Sequence, residues 1–166
     1  MLLLPLFSVV LGCNRFPDDT QSVFNRWLCG ASPGISVFTM KPVNPNGILT
    51  RDLKIDVVLE NDRRVYDALH LEIKIWSWGR RCRWAEVPTF GLLSNQKACK
   101  TGFPCPLKMG NQSVTLLSTK YGFLISLLPN NAAYQIQYKI TASNGDICIM
   151  AQARAHSLAK NATSFD

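Results

Sequence analysis

Along much of the chain apolar and polar residues alternate one for one, the period of a strand with one buried face. In "DLKIDVVLE", residues 52 to 60, Leu53, Ile55, Val57 and Leu59 share a face, with Lys54, Asp56, Val58 and Glu60 on the other. "LHLEIKIW" sets Leu69, Leu71, Ile73 and Ile75 against His70, Glu72 and Lys74, and "YQIQYKITA" sets Tyr134, Ile136, Tyr138 and Ile140 against Gln135, Gln137, Lys139 and Thr141. Less regular strand-like runs are "ISVFTMKPV" at 35 to 43, "SVTLLST" at 113 to 119, "YGFLISLLP" at 121 to 129 and "ICIMAQARA" at 147 to 155. Turn formers separate them: Asn44-Pro-Asn-Gly47, Asn61-Asp62, Pro129-Asn-Asn131 and Asn144-Gly-Asp146. Seven such strands predict an all-β, antiparallel β-sandwich. Only "DDTQSVFNRWL", residues 18 to 28, reads as a helical turn, and the chain has no internal repeat or linker.

Length and charge narrow this further. A chain of 166 residues predicts one domain, and a domain of that size buries roughly 70% of its unfolded surface. With 47% hydrophobic and 17% charged residues it is too apolar for a disordered tail. A net charge of +7 favours anionic partners, whether nucleic acid, anionic lipid or acidic glycan, and its sign alone does not choose.

The first twelve residues, "MLLLPLFSVVLG", are an apolar run ending in a small residue. It is too short to cross a bilayer core of ~30 Å and has the length of a signal-peptide core, so residues 1–12 are read as a signal peptide. They lack the usual basic start, and a buried N-terminal strand is the alternative. Val10-Leu11-Gly12-Cys13 also resembles a lipoprotein processing site, with Leu11 bulkier than that site prefers. No later run is long enough to span a membrane, so a released, luminal protein is expected.

Cysteines stand at 13, 29, 82, 99, 105 and 148. Cys99 and Cys105, six apart around Lys-Thr-Gly-Phe-Pro, fit a zinc half-site, a redox pair or a staple closing a surface loop. In an oxidising lumen disulfides are the default, and loss of Cys13 with the leader would leave an odd number. Zinc needs further ligands, and His70 and His156 sit in no paired spacing, so no metal and no cofactor is expected. His70 with Glu72 is a product of strand alternation and His156 has no marked partner, which argues against catalysis. Sequons at Asn111 and Asn161 suit a glycoprotein.

The stretch "CKTGFPCPLKMG", with its short-spaced cysteine pair followed by Pro, an apolar residue, Lys and Gly, resembles the corresponding loop of the ML lipid-recognition domains. That family includes the ganglioside activator protein, the Niemann-Pick type C sterol carrier and the mite group 2 allergens. The resemblance runs over about residues 27 to 157 and includes Cys29 before the first strand and Cys148 in "GDICIMA" on the last. It implies disulfides Cys99 to Cys105 and Cys29 to Cys148. A further cysteine pair of the sterol carriers is missing from "KPVNPNG", and Cys82 is extra. The ganglioside-activator pattern would instead join Cys82 to Cys105, so the partner of Cys82 stays open.

The same resemblance implies an immunoglobulin-like sandwich with a lipid cavity between its two sheets. Its walls would be Leu53, Ile55, Val57, Leu59, Leu71, Ile73, Ile75, Val114, Leu116, Ile136, Tyr138, Ile140, Ile149 and Ala151. Three alanines on one face of the last strand, 151, 153 and 155, leave volume there unless Phe123 or Tyr138 fills it. In "WSWGRRCRWAEVPTFGLL", Trp76, Trp78, Trp84 and Phe90 interleave with Arg80, Arg81 and Arg83. These make the candidate cavity mouth and membrane contact, since aromatic rings suit the headgroup layer and arginines pair with phosphate or carboxylate. The pattern also suits single-stranded nucleic acid, which a secreted glycoprotein rarely meets, or an ordinary strand end. The function implied is a secreted or lysosomal carrier of glycolipid, phospholipid or sterol that touches anionic membranes. The alternative is a lipid-presenting module that binds a receptor or a hydrolase.

Overall fold

The computed structural model describes residues 12–30, 34–44, 49–50, 54–79, 81–116, 127–142 and 145–156. Residues 1–11 of the expected leader at 1–12, with Leu53, Arg80, Phe123 and Asn161, lie outside them. Among the described residues the strands, in chain order, are β1 (Asn25–Leu28), β2 (Ile35–Pro42), β3 (Leu49–Thr50), β4 (Ile55–Asn61), β5 (His70–Gly79), β6 (Arg83–Glu86), β7 (Gln96–Lys97), β8 (Gly110–Leu116), β9 (Ala132–Ala142) and β10 (Gly145–His156).

They form two sheets. The large one runs β1-β10-β9-β5-β6, with β3 beside β10 and β7 beside β5, and the small one runs β2-β4-β8. Each of these pairings is antiparallel except the short one of β3 with β10. The protein is therefore an all-β sandwich, and its sheets meet through their apolar faces.

Cross-strand register shows how the alternation is used. On the inner face of the large sheet Leu71, Ile140 and Ile147 lie in one row, Ile73, Tyr138 and Ile149 in the next, and Ile75, Ile136 and Ala151 in a third. The small sheet answers with Ile55 opposite Leu116 and Val57 opposite Val114. In β2 the register shifts between Val37 and Thr39, so Val37 faces Leu59 and Met40 faces Val57. An extra residue resets the phase of the pleat, which is why "ISVFTMKPV" departs from strict alternation although it is a strand.

Three sequence expectations are corrected. Residues 18 to 28 are not helical beyond their start: a 3-10 turn covers Pro17–Asp19, and Val23 N–H donates to Asp19 O at 2.9 Å. From Asn25 the chain becomes β1, whose partners Gln152 to Ile149 on β10 override a weak local preference. Residues 127–129 contain no strand, while 121–126 lie outside the described residues. Strands β1, β3, β6 and β7 are additional to the seven expected. All four are short, which leaves too few positions for a period to show.

All six cysteines are paired: Cys13 with Cys82, Cys29 with Cys148 and Cys99 with Cys105. The last two are the pairings implied by the resemblance. The first resolves Cys82, excludes its pairing with Cys105, and leaves no odd thiol. It fastens an N-terminal strap, residues 13 to 22, to the β5–β6 hairpin. The strap lies on the outer face of the large sheet. Thr20 O accepts from Arg154 N–H at 2.8 Å, Arg15 donates to Asn131 O at 3.0 Å, and the guanidinium carbons of Arg15 and Arg154 each sit 5.3 Å from the Phe16 ring centre.

The bridges close loops of very different length, with separations of 119, 69 and 6 residues. Chain entropy then predicts unequal losses when each pair is replaced by serine: about 5 kcal/mol for Cys29–Cys148, about 4 for Cys13–Cys82 and about 2 for Cys99–Cys105. Urea unfolding of the three double mutants should reproduce that order. Equal losses would show that native-state packing, not loop closure, sets the contribution.

Candidate functional site

The alternation expected for the cavity walls is realised side chain by side chain. Ile55, Val57 and Leu59 from β4, Val114 and Leu116 from β8, Leu71, Ile73 and Ile75 from β5, Ile136, Tyr138 and Ile140 from β9, and Ile149 and Ala151 from β10 form one contiguous cluster between the sheets. None is more than 4% exposed, so each meets protein on its inner side in this structure. Tyr134, opposite Ala153, and Tyr138, opposite Ile149, stand beside the alanine row of β10 and take up part of the volume it leaves. Sequence reading named most of this layer and missed Ile35 and Met40 from the bulged strand, Leu49 from β3, and Tyr66, Leu93, Ala98, Phe103, Leu107 and Leu128 from the connections between strands.

The layer carries no buried Lys, Arg, Asp, Glu or His among the described residues. Its polar atoms are phenolic: the Tyr134 hydroxyl donates to Pro129 O at 2.6 Å, and burial pushes the Tyr138 phenol well above its ordinary value. At the end of the small sheet buried Asn61 closes the layer, donating to Arg64 O at 2.6 Å and Lys108 O at 2.9 Å and accepting from Arg63 N–H at 3.3 Å. Along one side the Arg26 guanidinium reaches from β1 to Met40 O on β2, 2.7 Å away.

The tryptophans sit elsewhere. Trp76 and Trp78 share the β5 pleat with Glu72 and Lys74, opposite to Leu71, Ile73 and Ile75, and Trp84 pairs with Trp78. All three therefore point out of the large sheet, away from the inter-sheet layer, and do not rim it. The physical reason is parity: two residues along a strand return to the same face. Trp78 Nε1–H donates to Asn14 O at 2.7 Å and its ring meets Trp84 edge-to-face at 5.3 Å. Arg81 and Arg83 are exposed around the hairpin, and Phe90, 85% exposed with φ 50°, tops the loop of residues 87 to 95.

On the same outer face Glu72 and Lys74 form an ion pair at 3.7 Å, and His70 is exposed beside them. Asn111 of the first sequon is exposed on β8. Among the described residues no three His, Cys, Asp or Glu side chains cluster with metal-binding geometry, and no helix is long and apolar enough to cross a membrane. The feature hardest to foresee was the strap. Its one sequence signal is arithmetic, because six cysteines pair evenly only if Cys13 is kept.

No family model matches the chain, and no curated protein matches it in sequence. Among solved structures it is similar to a Niemann-Pick type C2 protein from Japanese carpenter ant, with 18% identity over 80% of this chain and 98% of that one and a TM-score of 0.43.

Burial of Tyr138 gives a pH test. Its folded value lies above the unfolded value near 10, so the fold favours the neutral phenol. Stability from this group is complete below the unfolded value and is lost as pH rises past it, at about 1.4 kcal/mol per pH unit. Urea midpoints between pH 9 and 11 should fall more steeply for wild type than for Tyr138→Phe; parallel curves would mean that the phenol ionises without unfolding.

Proposed function

We propose that the protein binds lipid, holding the apolar part of a glycolipid, phospholipid or sterol between its two sheets, and that it works in the secretory, extracellular or lysosomal lumen. One observation carries the reading: among the described residues the layer between the sheets buries no charged side chain, and none of the three disulfides crosses it. Cys29–Cys148 joins the end of β1 to β10 within the large sheet, Cys13–Cys82 ties the strap to that sheet, and Cys99–Cys105 closes a turn in the connection from β7 to β8. The two sheets can therefore part without breaking a covalent bond, at the cost of apolar packing and the Arg26 bond to Met40 O.

A lipid entering there replaces one apolar neighbour with another. Each methylene it removes from water gains about 0.8 kcal/mol, and this offsets the packing given up as the sheets separate. Small side chains ease that separation, and Ala151, Ala153 and Ala155 provide them along β10. The formed Cys99–Cys105 and Cys29–Cys148 pairs support the resemblance to ML domains, and three disulfides suit an oxidising compartment reached through a leader at residues 1–12. Contact with anionic membrane is assigned to the hairpin and the loop after it, through Arg81, Arg83 and Phe90.

Protein secreted from a eukaryotic host, extracted with organic solvent and examined by mass spectrometry, should yield about one lipid per chain. Ala151→Phe should abolish uptake while circular dichroism stays that of the wild type. Lipid-free wild type that takes up none from vesicles would overturn the reading and favour a module that binds a protein partner.

Membrane contact is tested separately. A basic residue near an anionic surface is worth about 1 kcal/mol, so replacing Arg81 and Arg83 by Gln should weaken anionic-vesicle binding about thirtyfold at low salt and much less at high salt. Unchanged co-sedimentation would remove the hairpin from the mechanism.

A further inference from the structure

The outer face of the large sheet carries a hollow of about 590 Å³ lined by Asp18, Asp19, Asn25, Arg26, Trp27, Trp84, Gln135 and Gln152. We propose that it binds a neutral oligosaccharide. The site is separate from the layer between the sheets, so the proposal stands or falls independently of lipid binding.

Its floor is a row of carboxamides. Register places Asn25, Gln152 and Gln135 side by side on β1, β10 and β9. Gln135 offers its Nε2 donors and Asn25 its Oδ1 acceptor, the kinds of partner a sugar hydroxyl needs, while Gln152 is spent on holding its two neighbours in place. They are also held in place. Asn25 donates to Asp18 O at 2.7 Å and to Gln152 Oε1 at 3.3 Å, while Gln152, 5% exposed, donates to Asp18 Oδ2 at 3.1 Å and lies 3.5 Å from Gln135 Oε1. A prearranged floor loses little freedom when a ligand arrives.

Its ends are indoles. Trp27 is 41% exposed, and Trp84 is braced by Trp78, which the strap fixes through Asn14 O. The C–H face of a pyranose ring packs on such a surface, and rigid aromatic area is an inexpensive anchor. The two rings stand on β1 and β6, with β10, β9 and β5 between them, a backbone span of roughly 19 Å at ~4.8 Å per strand. That separation suits a ligand of several sugar units and is too wide for two rings to close on one ammonium group.

Charge sets the remaining selectivity. The protein is +7 overall, yet the charged side chains on the outer side of this hollow are the carboxylates Asp18 and Asp19, because Arg26, opposite Ala151, turns its guanidinium to Met40 O on the small sheet. Sialylated, sulfated and phosphorylated glycans meet repulsion here, whereas neutral ones meet hydrogen-bond partners.

The test uses the full, oxidised chain on a glycan array, with calorimetry on any glycan retained. Neutral glycans should be bound in preference to sialylated versions of the same cores. Trp27→Ala should weaken binding about tenfold or more, with the melting temperature and bound-lipid content unchanged. Gln135→Ala, which keeps both rings, should weaken it in the same direction, and decides the matter if Trp27→Ala folds poorly. Retention of no neutral glycan, undiminished binding by Gln135→Ala, or tighter binding of phosphocholine than of any neutral glycan would each overturn the proposal.

Discussion

A strand has two faces and no third, and in β10 both are buried. Ile147, Ile149, Ala151, Ala153 and Ala155 face the small sheet; Cys148, Met150 and Gln152 face the other way and are also covered. The pairing of β10 with β9 extends along eleven residues of each, β1 lies along its other edge, where Thr20 of the strap also bonds Arg154, and Cys148 anchors the end of β1 through Cys29. Remove this strand and both the apolar layer and the outer hollow lose a wall.

Because the pleat assigns residues to faces strictly, the two faces of the large sheet carry different chemistry. One is uncharged and set against another apolar surface; the other gathers amides, indoles, carboxylates and the Glu72–Lys74 pair. The strap makes the second face more than a solvated surface. It brings Asp18 and Asp19 over the sheet, both with left-handed φ of 52° and 57°, a conformation that aspartate tolerates better than most side chains. It also braces Trp78, and through it Trp84.

Covalent ties follow the same division. All three bridges strengthen the large sheet, its strap or one connection, while the meeting of the two sheets rests on apolar packing, the Arg26 bond and the chain connections. A sandwich built this way is tied covalently within its larger layer and held by non-covalent contacts between layers.

The sequence by itself determined the strands of β4, β5 and β9, the residues each turns inward, and with them the all-β class, because burial on one face leaves a period of two that can be read directly. It also named about two thirds of the inter-sheet layer, those residues that alternate along regular strands, and the family resemblance carried two of the three disulfides. It did not determine β1, whose four residues are strand only because β10 offers them partners, nor the phase of β2, where one bulged residue hides the period. Least legible was the role of the tryptophans. Their parity with Lys74 was written in the chain, but only the folded sheet shows what stands on that side: a strap drawn over it by Cys13 and Cys82, residues 69 apart that meet through the tertiary fold alone. Local pattern records which side of a strand is dry; the elements that cover either side arrive from distant sequence, and their arrival leaves no local mark.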